Sequence, residues 1–230
     1  MSEAPLTIAV VVPVLNEAEA LPDLQGSLRA CRADKLVFVD GGSDDGSLDI
    51  LRASGVCYTS SKPGRAAQMN AGAKVCKSDI LLFLHADTFI TSSHIENVRQ
   101  FMQASSVVGG RFDLRLSGKH SGLRVIEWFI NQRSRLSGIS TGDQAQFVRR
   151  DVFEAMGGFS DIPLMEDVDF SRRLKRQGKQ ACLRQTVLSS SRRWEQHGLV
   201  RTVLLMWRMR LLYWLGVDAA RLAGMYRQAR

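Results

Sequence analysis

The chain has 230 residues, 45% of them hydrophobic and 23% charged, which excludes intrinsic disorder and leaves room for one large domain or two small ones. Nineteen glycines and five prolines without a period exclude fibrous and low-complexity chains. Of the net charge of +8, residues 1–171 hold 17 basic and 21 acidic groups, and residues 172–230 hold 14 basic and two acidic ones. A basic tail of this kind seeks anions: a membrane surface, a nucleic acid or a phosphorylated ligand. No nucleic-acid motif accompanies it.

Continuous apolar runs at 6–12, 36–39, 56–59 and 80–84 alternate with helical patterns at 18–31, from about 45, and at 66–76. Strands that are apolar at every position are buried on both faces, so the expected fold is α/β: one Rossmann-like, mostly parallel sheet flanked by helices. In the second half, 107–116 alternates polar and apolar residues, the pattern of a half-exposed antiparallel strand. Helices follow at 121–136, from Asp151 to Gly157, and at 166–177, with a short strand at 145–148 between the first two. Residues 197–216 read as one helix, apolar nearly all round but interrupted by Arg208 and Arg210, and a shorter helix covers 218–227. No linker divides the chain, so 1–230 is expected to form one domain: a ligand-binding half (1–105), a half bearing an acidic cluster (106–195) and C-terminal helices (196–230). Packing in the core or against a second subunit competes with membrane contact for the long helix.

Residues 1–7 lack a signal-peptide pattern, and Cys31, Cys57, Cys76 and Cys182 form no Cys-x-x-Cys pair. Buried free thiols and a cytoplasmic location, at the inner face of a membrane if the tail docks there, are the expectation.

In an open parallel sheet, ligands bind beyond the carboxyl ends of the strands. There stand Pro13, Asn16 and Glu17 after the first run, Asp40-Gly41-Gly42 after the second, and His85-Ala86-Asp87 after the fourth. Asp40 suits hydrogen bonds to a ligand, and Asp44 suits capping of the next helix. The glycines match neither the dinucleotide fingerprint nor a Walker loop. Arg65 and Asn70 lie on a helix whose N-terminus attracts phosphate. Asp87, with His85 on the same side of the strand, suits a divalent cation; a structural hydrogen bond is the competing role for His85. His94, His120 and His197 read as structural or surface groups. Glu166, Asp167 and Asp169 crowd a helix start, where repulsion and burial raise a carboxyl pKa toward that of a usable base.

These elements in this order resemble the inverting family 2 glycosyltransferases. Pro13-x-x-Asn16-Glu17, Val39-Asp40-Gly41-Gly42-Ser43-x-Asp45-Gly46, Gly64-x-Ala66-x-x-x-Asn70-x-Gly72 and Glu166-Asp167 carry the likeness. The resemblance implies a nucleotide-diphosphosugar donor, usually UDP-linked, with Asp40 at the base, Asp87 at a diphosphate-bound Mg²⁺ or Mn²⁺, and Asp167 as general base beside Glu166. Ala86, between His85 and Asp87, is expected to contact the donor, as are Pro13, Asn16, Glu17, Gly42, Arg65 and Asn70. Arg192-Arg193-Trp194 is similar to the segment that follows the base, which implies that Arg192 or Arg193 neutralises the leaving diphosphate and that Trp194 stacks on a sugar; surface arginines beside a packing Trp are the competing reading. Trp128, Asp143 and Gln144 are expected to shape the acceptor pocket. Two departures stand out: Gly41 replaces the second Asp of the nucleotide loop, and His85-Ala86-Asp87 replaces an Asp-x-Asp. The acceptor is not legible. A nucleotidyltransferase lacks its Gly-rich, Arg-bearing loop here, and a catalytically inactive nucleotide-sugar or membrane-surface adaptor sits poorly with the intact acidic pair.

Overall fold

Apolar runs buried on both faces build the centre of this computed structural model, which describes residues 4–229; part of the signal-peptide reading thus lies outside the described residues. β1 (Ile8–Val14) is buried throughout. Ile8, Val10, Val12 and Val14 enter one core cluster, while Ala9 and Val11 enter a second on the opposite face. That is the period-2 geometry of a strand covered on both sides.

β1 pairs in parallel with β2 (Lys35–Asp40) and β4 (Ile80–Phe83), and β2 pairs in parallel with β3 (Tyr58–Ser60). Beyond β4 come β7 (Phe147–Arg149), β6 (Gly109–Leu116), β8 (Gln180–Ser189) and β5 (Thr88–Phe89), giving one eight-stranded sheet in the order β3-β2-β1-β4-β7-β6-β8-β5. The helices between them are α1 (Leu21–Ala30), α2 (Ser47–Ala53), α3 (Arg65–Lys74), α4 (Ser92–Ala104), α5 (Ser121–Ser137), α6 (Arg150–Ala155) and α7 (Glu166–Gln177). α3 lies tight on the sheet: a Cβ on its Gly72 would stand 2.3 Å from Val11 Cγ1.

Three expectations are corrected. The strand at 107–116 is antiparallel to β7 only at Gly109 and Gly110; along its length it runs parallel to β8. It is not half-exposed either, because Arg111 is buried and paired with Asp113 at 2.5 Å. The long C-terminal helix is present as α9 (Leu199–Trp214), preceded by a separate short helix, α8 (Arg192–His197), that ends at Gly198 and has no counterpart in the expected elements, and followed by α10 (Ala219–Gln228). α4, β5 and β8 have no counterpart in the expected elements. Of the thiols, Cys31 and Cys76 are buried as expected, but Cys57 is exposed and Cys182 half-buried.

Candidate active site at the carboxyl ends of the strands

The β1 and β2 ends are tied together by a residue that the sequence did not single out. Buried Gln68, on α3, donates from Nε2 to Val14 O (2.7 Å) and Val39 O (2.9 Å). Its amide lies so close to Gly41 that a Cβ there would stand 2.8 Å from it, which explains why glycine occupies this position. Asp40, 1% exposed, accepts from the amides of Gly42 (2.9 Å) and Ser43 (3.3 Å), so its carboxylate shapes its own loop. Asn16, in the left-handed region at φ +56°, donates its backbone amide to the Ser43 hydroxyl and accepts from the Asp44 amide on its Oδ1. Asp44 does not cap α2, whose N-cap position is Gly46; Asp45, one residue before it, accepts from the amide and hydroxyl of Ser47 and the amide of Ala18. Pro13 is buried inside β1 and Ala86 is buried too, so neither offers side-chain surface to a ligand. Gly42 is exposed at the loop's edge.

Glu17 and Asp87 border the same opening. Burial raises the Glu17 pKa, the Asp87 charge raises it further, and Arg192 and Arg65 oppose both. Asp87 is half-buried; its Oδ1 meets only the Thr88 hydroxyl at a long 3.5 Å, and its carbonyl accepts from the Ser190 amide at 3.0 Å, which brings the segment leading into α8 to this edge. His85 behaves differently. Burial, with the charges of Arg65 and Arg193, holds its pKa well below 6.5, so the ring is neutral. Its Nε2 is shut off from solvent and sits where a Gly142 Cβ would be, at 2.1 Å. That nitrogen is closed to an ion, so a metal contact by His85 would have to use the other ring nitrogen.

The second wall is the turn Gly142–Gln144 and the start of α7. Gly142 donates its amide to Asp167 Oδ2 at 2.8 Å, and Asp167 Oδ1 accepts from Val168 N at 2.7 Å. Glu166, 5% exposed, is pushed up to about 7 by burial and then by the Asp167 charge, against the pull of Arg65. Asp143 is raised chiefly by burial; a hydrogen bond from Thr141 opposes this, and the charges of Asp167 and, more weakly, Asp87 add to it. One half-buried carboxyl, its Oδ1 shut off from solvent, therefore senses both the α7 acid and the β4 acid. Arg133, from α5, is the counter-charge on this wall: it lowers Asp143, and Asp143 and Asp167 in turn act on it. Its Nε and Nη2 are buried without a hydrogen-bond partner among the described residues.

Several expected residues prove structural. Gln144 is fully buried; it accepts from Thr141 N and donates to Ser134 Oγ and Phe112 O. Asn70 clips the Phe159 backbone with both ends of its amide, at 2.8 and 2.9 Å. Trp194 packs half-buried against the larger core cluster, and Trp128 stands 57% exposed, edge-on to Phe129, on the outer side of α5. Gln144 and Asn70 thus spend their amides on the fold, while Trp128 keeps an exposed face. Arg65 is exposed, and its charge reaches Glu17, His85 and Glu166. Arg193 lies 5.9 Å from the Tyr226 ring centre, and its charge reaches His85. His94 caps α4 and bonds Thr186 O, and His120 caps α5. Sequence reasoning missed Gln68, Arg133 and Gln146, whose amide donates to Ser140, Ser171 and the Asp167 carbonyl.

No group of three metal-ligating side chains occurs among the described residues. Asp87, with both oxygens nearly unengaged, fits instead a divalent cation that takes one carboxylate and draws its other ligands from phosphate and water.

The sequence model of Glycosyl transferase family 2 matches residues 9–157. Among curated relatives, the chain is 27% identical over 172 residues to Glycosyltransferase AglE of Haloferax volcanii, covering 66% of this chain and 55% of that one. It is 30% identical over 168 residues to an undecaprenyl-phosphate 4-deoxy-4-formamido-L-arabinose transferase of Serratia proteamaculans, covering 65% and 51%. The chain thus spans about half the length of these relatives. Among solved structures, Staphylococcus aureus TarS 1-349 in complex with UDP-GlcNAc superposes with TM-score 0.63 at 16% identity, covering 80% and 58%. Glucosyl-3-phosphoglycerate synthase from Mycobacterium tuberculosis, in complex with Mn²⁺, UDP and glucosyl-3-phosphoglycerate, gives TM-score 0.56 at 17% identity, covering 79% and 70%. With the family's sequence model spanning well over half of it, the chain belongs to glycosyl transferase family 2.

Proposed function

We propose that this chain moves a sugar from a UDP-linked donor to an acceptor hydroxyl, with inversion at the anomeric carbon. The observation that carries the reading is that half-buried Asp143 feels the charges of both Asp167 and Asp87, and that Glu17, beside the nucleotide loop, feels that of Asp87. Two solved structures of similar fold contain UDP or a UDP-sugar, and one of them contains Mn²⁺.

In this reading the donor's nucleotide lies along the Asp40–Ser43 loop, whose shape Asp40, Asn16 and Gln68 maintain. Asp167, with each oxygen already oriented by one backbone amide, keeps lone pairs free to take the acceptor's proton while the hydroxyl attacks opposite the diphosphate. Glu166, pushed up to about 7, carries a proton over much of the range below neutrality and limits the negative charge beside the base. Arg65, Arg192 and Arg193 supply positive charge around the opening for the departing diphosphate. Asp87 would hold the divalent cation, which when bound neutralises charge on the leaving group.

The test is donor hydrolysis and thermal shift with a panel of UDP-sugars and Mn²⁺. At least one donor should raise the melting temperature and release UDP; if no nucleotide sugar did either, the reading would fail.

A further inference from the structure

Helix α9 turns two apolar faces in two directions. Buried Met209, with half-buried Leu205, Leu212 and Tyr213, packs on Met165 and Val168 at the start of α7 and on Leu222 of α10. On the other side Val200, Leu204, Trp207, Leu211 and Trp214 are 56–78% exposed, and Leu215 just past the helix end is 62% exposed. At 3.6 residues per turn the five helical positions fall within an arc of about 80° and extend over about 21 Å. By the same spacing, exposed Arg201 and Arg208 flank one edge of this stripe and half-buried Arg210 flanks the other. α9 contains no acid, and across α8–α10 seven arginines face two acidic residues, Glu195 and Asp218. Asp218 is already engaged in capping α10.

We infer that this face of α9 docks in the plane of an anionic lipid bilayer, with the tryptophans at the headgroup boundary and the arginines on phosphate. A second copy of the chain is the poorer occupant, because a twofold contact through the stripe would set Arg201, Arg208 and Arg210 against their own copies with no acid on the helix to offset them. An anionic surface complements the same arginines, and a narrow apolar stripe with indole rings and flanking cations is the composition of an interfacial helix. No helix among the described residues is long and apolar enough to cross a membrane, so contact through α9 is in-plane. Because α9 clamps the first turn of α7, docking would seat the Glu166–Asp167 wall close above the lipid. The inference does not rest on sugar transfer.

The test is co-sedimentation of the whole chain with phosphatidylcholine vesicles and with 3:1 phosphatidylcholine–phosphatidylglycerol vesicles at physiological salt. The native chain should partition strongly to the anionic vesicles and weakly to the neutral ones. Replacing Arg201, Arg208 and Arg210 with Gln should cost about a hundredfold in that partition, at roughly fivefold per arginine. Trp207→Glu with Trp214→Glu should abolish it at unchanged melting temperature. Should those variants misfold, brominated acyl chains in anionic vesicles should still quench the native chain's tryptophan emission. Absence of vesicle binding or of quenching by the native chain would overturn the inference. So would a dimer in sedimentation velocity that the two Trp→Glu changes convert to monomer. Vesicle binding needs no donor, so its failure and that of the proposed transfer are read separately.

Discussion

The amide of Gly142 donates to Asp167 at 2.8 Å, while the same glycine leaves the space that the His85 ring fills. One residue without a side chain thus orients the α7 carboxylate and seats the enclosed Nε2 of an imidazole from the β4 end. A methyl group at Gly142 would stand 2.1 Å from Nε2, so either the ring or the turn must move.

Gly142→Ala should therefore lower turnover by roughly 10–100-fold, through a misplaced base, and cost about 1–3 kcal/mol of stability from overpacking. UDP affinity should change little, because the nucleotide loop lies on another wall. Steady-state kinetics, UDP titration and thermal melts check the three parts; an unchanged turnover would show that the amide does not orient the base.

Glu166 gives a pH dependence of known sign. Its pKa is pushed up from 4.5 to about 7 in the folded chain, so the native state binds more protons than the unfolded one between those values. Stability then falls as pH rises from about 4.5 to about 7 and levels off above, the whole change amounting to ~3 kcal/mol at most. Glu166→Gln should remove this slope. Urea denaturation from pH 5 to 8 should show the native chain losing stability relative to the variant as pH rises, and parallel curves would contradict it.

Gln68→Ala leaves the carbonyls of Val14 and Val39 without their side-chain donor in a buried site. The expected cost is about 2–4 kcal/mol, or roughly 5–12 °C in melting temperature for a chain of this size. Donor affinity should fall as well, since the two strand ends that carry the nucleotide loop come apart. A melt within 2 °C of the native chain would show that the amide bridge is not holding them.

How much of this was legible in the sequence follows from what each signal depends on. β1, β2 and β4 announce themselves because burial on both faces demands uninterrupted apolar residues. β8 hides because only some of its positions are buried and its pairing with β6 shifts register between Phe112 and Asp113. α4 carries a readable Ile95, Val98 and Met102 stripe that went unclaimed between two stronger motifs. At the site, the acids at 87, 166 and 167 stand where strand ends and a helix start place them. Asn70 and Gln144 misled for the opposite reason: an amide can face a ligand or a backbone, and only tertiary contact decides which. Gln68 and Arg133 could not be found from spacing, because their partners lie 29 residues or more from Gln68 in sequence and, for Arg133, on a turn and a separate helix.

Asp87→Asn removes the carboxylate available to a divalent cation. With the variant, Mn²⁺ should no longer enhance the thermal shift produced by UDP, and chelation with EDTA should cost it far less activity than it costs the native chain. A variant as responsive to Mn²⁺ as the native protein would place the cation elsewhere.

The central claim is that Asp167 takes the acceptor's proton in a cleft shared with the donor. Single-turnover release of UDP from an active UDP-sugar by Asp167→Asn, measured beside UDP binding by titration, tests it most directly. Release should slow by about 10²–10⁴-fold, the usual contribution of a general base, with the dissociation constant for UDP within about twofold of the native value. Release at the native rate would contradict the account.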